Sequence, residues 1–321
     1  MKTASTIALV ILTFAQAAPA DLSAEQRAEQ QELLAWATTL RYQARTEQAL
    51  AVCEMILAAD PGCVEARLEH AVLELSQSRL PEALADFSDV LKRDRQNPMA
   101  LVGRGHVHYA QQDFEHADRN ARKALAACNE AISVDRANAQ TWYVRGLAKM
   151  LLKDDSALQD FVMALSLDPA HMDAHTERAQ IYRARGRTQD ALDQLTRAVE
   201  VRPDYAVGYL ARARVHYEAG DPAASVADCD RALQINPQCA RAWHNRGLVN
   251  IDLENYPEAI GDLTEAIAAE PDYASAHVYR GEAHAEAGDL EAARADWEAA
   301  ISLDPDGWAG RTAQDMLRAA Q

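Results

Sequence analysis

Apolar and small residues recur along this chain with a helical period set inside a longer one of 34 residues. The clearest two copies run from Ala240 to Pro305. ARAWHNRGLVNIDLENYPEAIGDLTEAIAAEP is followed by ASAHVYRGEAHAEAGDLEAARADWEAAISLDP, so that Gly247 answers to Gly281, Ala259 to Ala293, Leu263 to Trp297, Ala266 to Ala300 and Pro271 to Pro305. Self-similarity at this period marks a stacked helix–turn–helix array. Each copy is numbered from the first residue of its first helix, A; its second helix is B. Extending the ruler both ways gives eight copies, 30–63, 64–97, 98–138, 139–171, 172–205, 206–239, 240–273 and 274–307.

Three slots carry the prediction. The eighth holds Ala37, Ala71, Gly105, Gly146, Ala179, Ala213, Gly247 and Gly281, and the twentieth holds Ala or Ser in every copy, so facing helices can approach closely. The slot after helix B holds Pro61, Pro169, Pro203, Pro237, Pro271 and Pro305, which stop the helix; Arg95 and Arg136 depart from this. Gly220-Asp221-Pro222 and Gly288-Asp289 supply a left-handed residue and then an N-cap between A and B. The fourth copy is one residue short of the regular length and the third is seven residues too long. Ala117, Ala124 and Ala131 keep its small face in phase, which predicts two added turns and one helix from about Glu115 to Val134. Asp21 to Glu29 is a polar lead-in. Trp308 to Ala320 reads as an amphipathic capping helix, with Trp308, Ala313, Met316 and Leu317 inward.

The spacing of aromatic, small, Ala and Pro positions resembles the tetratricopeptide repeat family, over roughly residues 30 to 307. That resemblance implies an all-α, right-handed α-solenoid of about eight repeats whose A helices line a concave groove. It also implies binding of peptides and proteins rather than catalysis. Slots two, five, nine and twelve would face the groove, which here gives Val102, His106 and Tyr109; Tyr143, Leu147 and Met150; Thr176, Gln180 and Arg183; Leu210, Arg214 and Tyr217; and His244, Leu248 and Ile251. Some members hold a C-terminal carboxylate with Lys and Asn at slots five and nine; this chain has no such pair, so that clamp is not expected.

Slot seven holds Trp36 and His70, then Arg104, Arg145, Arg178, Arg212, Arg246 and Arg280, and slot 23 of helix B holds Val52, then Asp86, Asn120, Asp160, Gln194, Asp228, Asp262 and Asp296. A partly buried Arg needs a partner, so each should bond a B-helix carboxylate or amide, of its own copy or of its neighbour. Arg246 and Arg280 are expected within reach of Asp262 or Asp296.

Composition adds three constraints. The net charge of −17 disfavours nucleic acid and anionic lipid, and favours basic or amphipathic protein partners. Met1-Lys2, apolar Ile7 to Phe14 and Ala18-Pro19-Ala20 form a secretory signal peptide over residues 1–20, with no stable membrane span after cleavage. The chain is thus expected to be periplasmic or secreted. Cys53/Cys63 and Cys229/Cys239 repeat one spacing and invite local disulfides. Slot 24 lies some ~9 Å along the axis from the helix end, beyond the ~7 Å a bridge spans, which favours buried thiols and leaves the pairing open. His171-x-Asp173-x-His175 lacks a third committed ligand, and no Ser–His–Asp set, phosphate loop or CxxC is present. No catalytic residue, metal or cofactor is expected. The reading is a non-enzymatic adaptor of the cell envelope, with a structural homo-oligomer as the alternative.

Overall fold

The computed structural model describes residues 23–320; the expected signal peptide, residues 1–20, lies outside them. Among the described residues there are seventeen helices and no strand. They pair as α1 (Ala24–Tyr42) with α2 (Thr46–Ala59), α3 (Val64–Ser76) with α4 (Leu80–Arg93), α5 (Pro98–Ala110) with α6 (Phe114–Val134) and α7 (Ala139–Leu151) with α8 (Ala157–Leu167). The series continues with α9 (Met172–Ala184) and α10 (Thr188–Val201), α11 (Ala206–Glu218) and α12 (Pro222–Ile235), α13 (Ala240–Asp252) and α14 (Tyr256–Ala269), and α15 (Ala274–Glu286) and α16 (Leu290–Leu303). The last helix is α17 (Trp308–Ala319). The fold is all-α, a solenoid of helix–turn–helix repeats. It divides into two compact units, residues 1–178 and 179–321, with the division inside α9.

Seven of the eight A helices start on slot one. The first does not: α1 begins at Ala24 rather than Gln30, because Ser23 and Gln26 form a reciprocal capping box that adds six residues to the helix N-terminus. Every A–B turn places slot fifteen in the left-handed region. Gly186, Gly220 and Gly288 do so at no steric cost, but Ala44, Ser78, Gln112, Lys153 and Glu254 do so as non-glycines. Asp221 and Asp289 then cap α12 and α16 through the backbone N–H groups of Ala224 and Ala292, as expected.

Slot eight packs against slot 24 of the same repeat. A Cβ on Gly146 would lie 2.7 Å from the Phe161 ring, and one on Gly281 2.5 Å from the Trp297 indole. The small residue is therefore what lets an aromatic fill the space between A and B. Cys53 and Cys229 take the slot-24 position with no exposed surface. All five cysteines are free and buried, and burial pushes the Cys53, Cys128 and Cys229 thiols up to about 12, which makes them poor nucleophiles.

Four arginines of the row close as expected and join both copies at once, while Arg104 bonds Asn120 of its own B helix. Arg246 grips Asp262 of its own B helix and Asp230 of the preceding one. Arg280 does the same with Asp296 and Thr264, and Arg212 with Asp228 and Thr196. Arg145 bonds Asp160 ahead and Asn129 behind. Asn129 stands seven residues beyond its counterpart in an ordinary copy, so the added length of α6 shifts the seat of the next repeat by two turns without changing its face. Along that helix Ala117, Ala121, Ala124, Cys128 and Ile132 are buried; Ala131 is only half-buried. In the second repeat His70 replaces the arginine. Its Nδ1 lies 2.6 Å from Asp86, and Arg67 reaches the other oxygen of the same carboxylate at 3.0 Å.

Slot four adds a second tie. Arg67, Trp142, His175 and Trp243 each meet the carbonyl six residues earlier, at Pro61, Arg136, Pro169 and Pro237. Three side-chain types thus satisfy the same carbonyl just beyond the end of the preceding B helix. On α17, Ala309, Gly310 and Ala313 are buried, and Met316 and Leu317 pack against Val278, Ala293 and Trp297. Trp308 departs from expectation: it is 51% exposed, its ring 5.9 Å from that of Tyr279.

Candidate functional site

The residues expected on the groove side divide by burial. In the first unit Val102, Tyr143 and Leu147 are buried, His106 and Met150 are half-buried, and Tyr109 is exposed. Tyr143 packs between Phe161 and His171, with ring centroids 5.9 and 4.5 Å away. Tyr109 meets Phe114 edge-on at 5.3 Å. Burial pushes the His106 imidazole down to about 4, so it is neutral at ordinary pH. Thr176 is half-buried and turns its hydroxyl to the carbonyl of Met172.

In the second unit Leu210 and His244 are buried, Arg183, Leu248 and Ile251 are half-buried, and Gln180, Arg214 and Tyr217 are exposed. His244 sits between Tyr273 and Tyr279, with centroids at 4.9 and 5.5 Å, and its Nε2 meets the Ser275 hydroxyl at 3.2 Å. Arg183 and Arg214 converge on Glu218 at 2.8 and 3.2 Å. The Tyr217 hydroxyl donates to Asp252, which pushes the phenol up to about 12. Arg183–Glu218 and Tyr217–Asp252 are contacts between slot twelve of one copy and slot thirteen of the next, a pairing the sequence reading did not include. Glu282 lies beside Glu286 and Asp252, and burial together with those charges holds its carboxyl above the usual range. The exposed part of this wall is therefore tyrosine set among carboxylates.

A further cluster in the first unit was missed. Arg41 on α1 lies against Asp173 on α9, Nη1 to Oδ1 and Nη2 to Oδ2 both at 3.0 Å. Its Nε donates to Glu69 at 2.8 Å, and the Tyr42 hydroxyl donates to Asp173 at 3.2 Å. One turn on, burial and the Asp173 charge push Glu177 up to about 7. Asp173 itself stays below the usual range, because Arg41 outweighs its burial.

Several of the histidines have structural partners. His171 Nε2 meets Gln140 at 3.0 Å and its Nδ1 caps the Ala174 N–H, while His175 meets Pro169. His277 lies against the ladder carboxylate Asp296 at 3.1 Å. His108, His216 and His284 are half-buried rather than core residues; His108 and His216 sit near Asp113 and Asp228. Among the described residues no group of three or more His, Cys, Asp or Glu is placed to hold a metal. No described helix is long and apolar enough to cross a membrane.

Sequence models described as tetratricopeptide repeat match this chain. One matches residues 34–98, 68–117, 155–206 and 176–240, which together exceed half of the chain; others match 213–280 and 274–306. The "DnaJ protein P58IPK homolog B" of Oryza sativa subsp. japonica is 27% identical over 130 residues, covering 37% of this chain and 26% of that one. The "DnaJ protein P58IPK homolog" of Arabidopsis thaliana is 27% identical over 132 residues, with the same coverage. The match thus spans only 26% of the length of these curated relatives. Among solved structures, that of the APC/C hetero-tetramer Cut9-Hcn1 is similar in fold. It has a TM-score of 0.61 at 16% identity, over 90% of this chain and 55% of that chain. The 34-residue ruler, the helix pairs it marks out and these matches agree: the chain belongs to the tetratricopeptide repeat family.

Proposed function

We propose that this protein is a non-enzymatic scaffold that binds protein or peptide segments along the groove side of its A helices. The observation that carries this reading is the contrast between the two sides of those helices. On the packing side, the arginine row, the slot-four groups and the slot-eight residues are matched to partners within the chain. On the groove side of repeats six to eight, Tyr217, Asp252, Glu282 and Glu286 form a tyrosine-and-carboxylate wall, at whose edge Arg183 and Arg214 both bond Glu218. Such a wall suits a basic or amphipathic segment, because aromatic faces and carboxylates both attract Lys and Arg side chains. The signal-peptide pattern of residues 1–20 supports a periplasmic or extracellular site for this work.

The test is capture of partners from the native compartment with Tyr217→Ala. Tyr217 is exposed, so the helical signal should hold while partner recovery falls. Tyr143→Ala is unsuited to this purpose, because that ring is buried and its loss would disturb packing. Unchanged recovery from the Tyr217 variant, together with a mass that grows with protein concentration, would favour a structural homo-oligomer instead.

A further inference from the structure

The Arg41–Asp173 pair skips three repeats. A solenoid is held by contacts between adjacent repeats, and the ladder, the slot-four ties and the slot-twelve ties all obey that rule. This pair instead joins the end of the first A helix to the start of the fifth, 132 residues away in sequence. It is built for strength: a two-pronged guanidinium–carboxylate contact, a second carboxylate on Nε from Glu69 of α3, and a phenol from Tyr42. The Arg41 guanidinium also lies over the Tyr42 ring, 4.6 Å from its centroid. Both charged side chains are largely shielded from solvent.

We propose that this contact is an autoinhibitory clasp, in which Arg41 occupies within the first unit the place that an arginine of a partner segment would take. When Arg41 withdraws, Glu69 on α3 and Asp173 on α9 lose their cation, with Glu177 one turn from Asp173. Asp173 and Glu177 already sit close enough for the charge of one to push up the other, so leaving them unpaired is costly. A guanidinium satisfies the site best, because its planar fork matches the Asp173 carboxylate in two places, which an ammonium cannot do. The clasp rests on the scaffold reading for its meaning, but not for its detection.

Detection uses His106→Cys, which adds one thiol on the groove side of α5 to a protein whose own five thiols are buried. Maleimide labelling of that variant should be slow. Adding Asp173→Asn should quicken it at least about tenfold, as expected when a state held shut becomes the open one. Adding the charge-swapped pair R41D/D173R instead should return it to the slow rate, which separates loss of the clasp from loss of the fold. Binding of a hexa-arginine peptide at low salt gives the second readout. Arg41→Ala should bind at least about tenfold more tightly than the native chain, and Asp173→Asn more weakly. Non-specific attraction to an acidic protein would move both variants little. Equal labelling rates in all forms, or Arg41→Ala and Asp173→Asn shifting affinity the same way, would overturn the clasp. Failure of Tyr217→Ala to lose partners would sink only the groove reading and would leave the labelling rates unaffected.

Discussion

Arg246 and Arg41 are both half-buried arginines, each held by two carboxylates, and they belong to different kinds of contact. Arg246 binds its own B helix and the one before it, as its counterparts at 145, 212 and 280 do in their own copies. It is one rung of a row, and its work is to fix each repeat on the last. Arg41 belongs to no row. It ties α1 to α9 across three repeats, and no other copy repeats the arrangement. The difference teaches that the packing side of the A helices is dictated by the repeat, whereas the groove side is where individual residues differ and where recognition can be written.

The largest expected effect comes from breaking a rung. Asp262 is buried and accepts from Arg246 and Asn250. Asp262→Ala strands a partly buried guanidinium and should cost about 3 kcal/mol, read as a fall in the urea midpoint with the helical signal intact before the transition. A change within about 0.5 kcal/mol would mean that the row is ornamental.

Glu177 sharpens the groove side. Its folded value is raised to about 7 from an ordinary 4.5, so its contribution to stability is fully present below 4.5 and is lost as pH rises through 7. Glu177→Gln should match the native chain near pH 4.5 and exceed it by about 1–3 kcal/mol at pH 8. Equal gains at both pH values would show that folding does not raise this carboxyl.

His70 tests the row where it is titratable. Its imidazole is raised, first by the hydrogen bond to Asp86, then against its own burial by the charges of Asp86, Glu74 and Glu54, with Arg67 opposite on the same carboxylate. The stabilising form is the protonated one, complete below 6.5 and lost as pH climbs above it. His70→Asn should therefore cost about 1 kcal/mol below pH 6 and much less at pH 9, by denaturant titration at the two values. The smallest expected effect is a gain. Glu254 holds a left-handed backbone without being glycine, so Glu254→Gly should stabilise by about 0.5–1 kcal/mol, seen as a small rise in Tm.

Much of the packing side could be read in the sequence. Val64, Pro98, Ala139, Met172, Ala206, Ala240 and Ala274 all begin helices where a single ruler put them, because the small slot eight, the small slot twenty and the terminal proline leave one register. The first helix escaped for a local reason: Ser23 and Gln26 signal its start, and extending a period passes over such caps. The left-handed slot fifteen escaped because five of its eight occupants carry no glycine signal. The groove side was less legible for a deeper reason. Slots two, five, nine and twelve were expected to face the groove, yet Val102, Tyr143, Leu210 and His244 are drawn into packing by neighbours whose size the ruler ignores. The Arg41–Asp173 pair has no period at all, and its aspartate looked like part of a histidine cluster.

The central claim is that partners meet the groove side of the A helices, and site-specific photo-cross-linking in the native compartment tests it most directly. A photoreactive residue in place of Tyr217, on the groove side, should give discrete adducts with other proteins, and one in place of the exposed Val162 on B helix α8 should give none. Adducts from the Val162 position with none from Tyr217 would contradict the account.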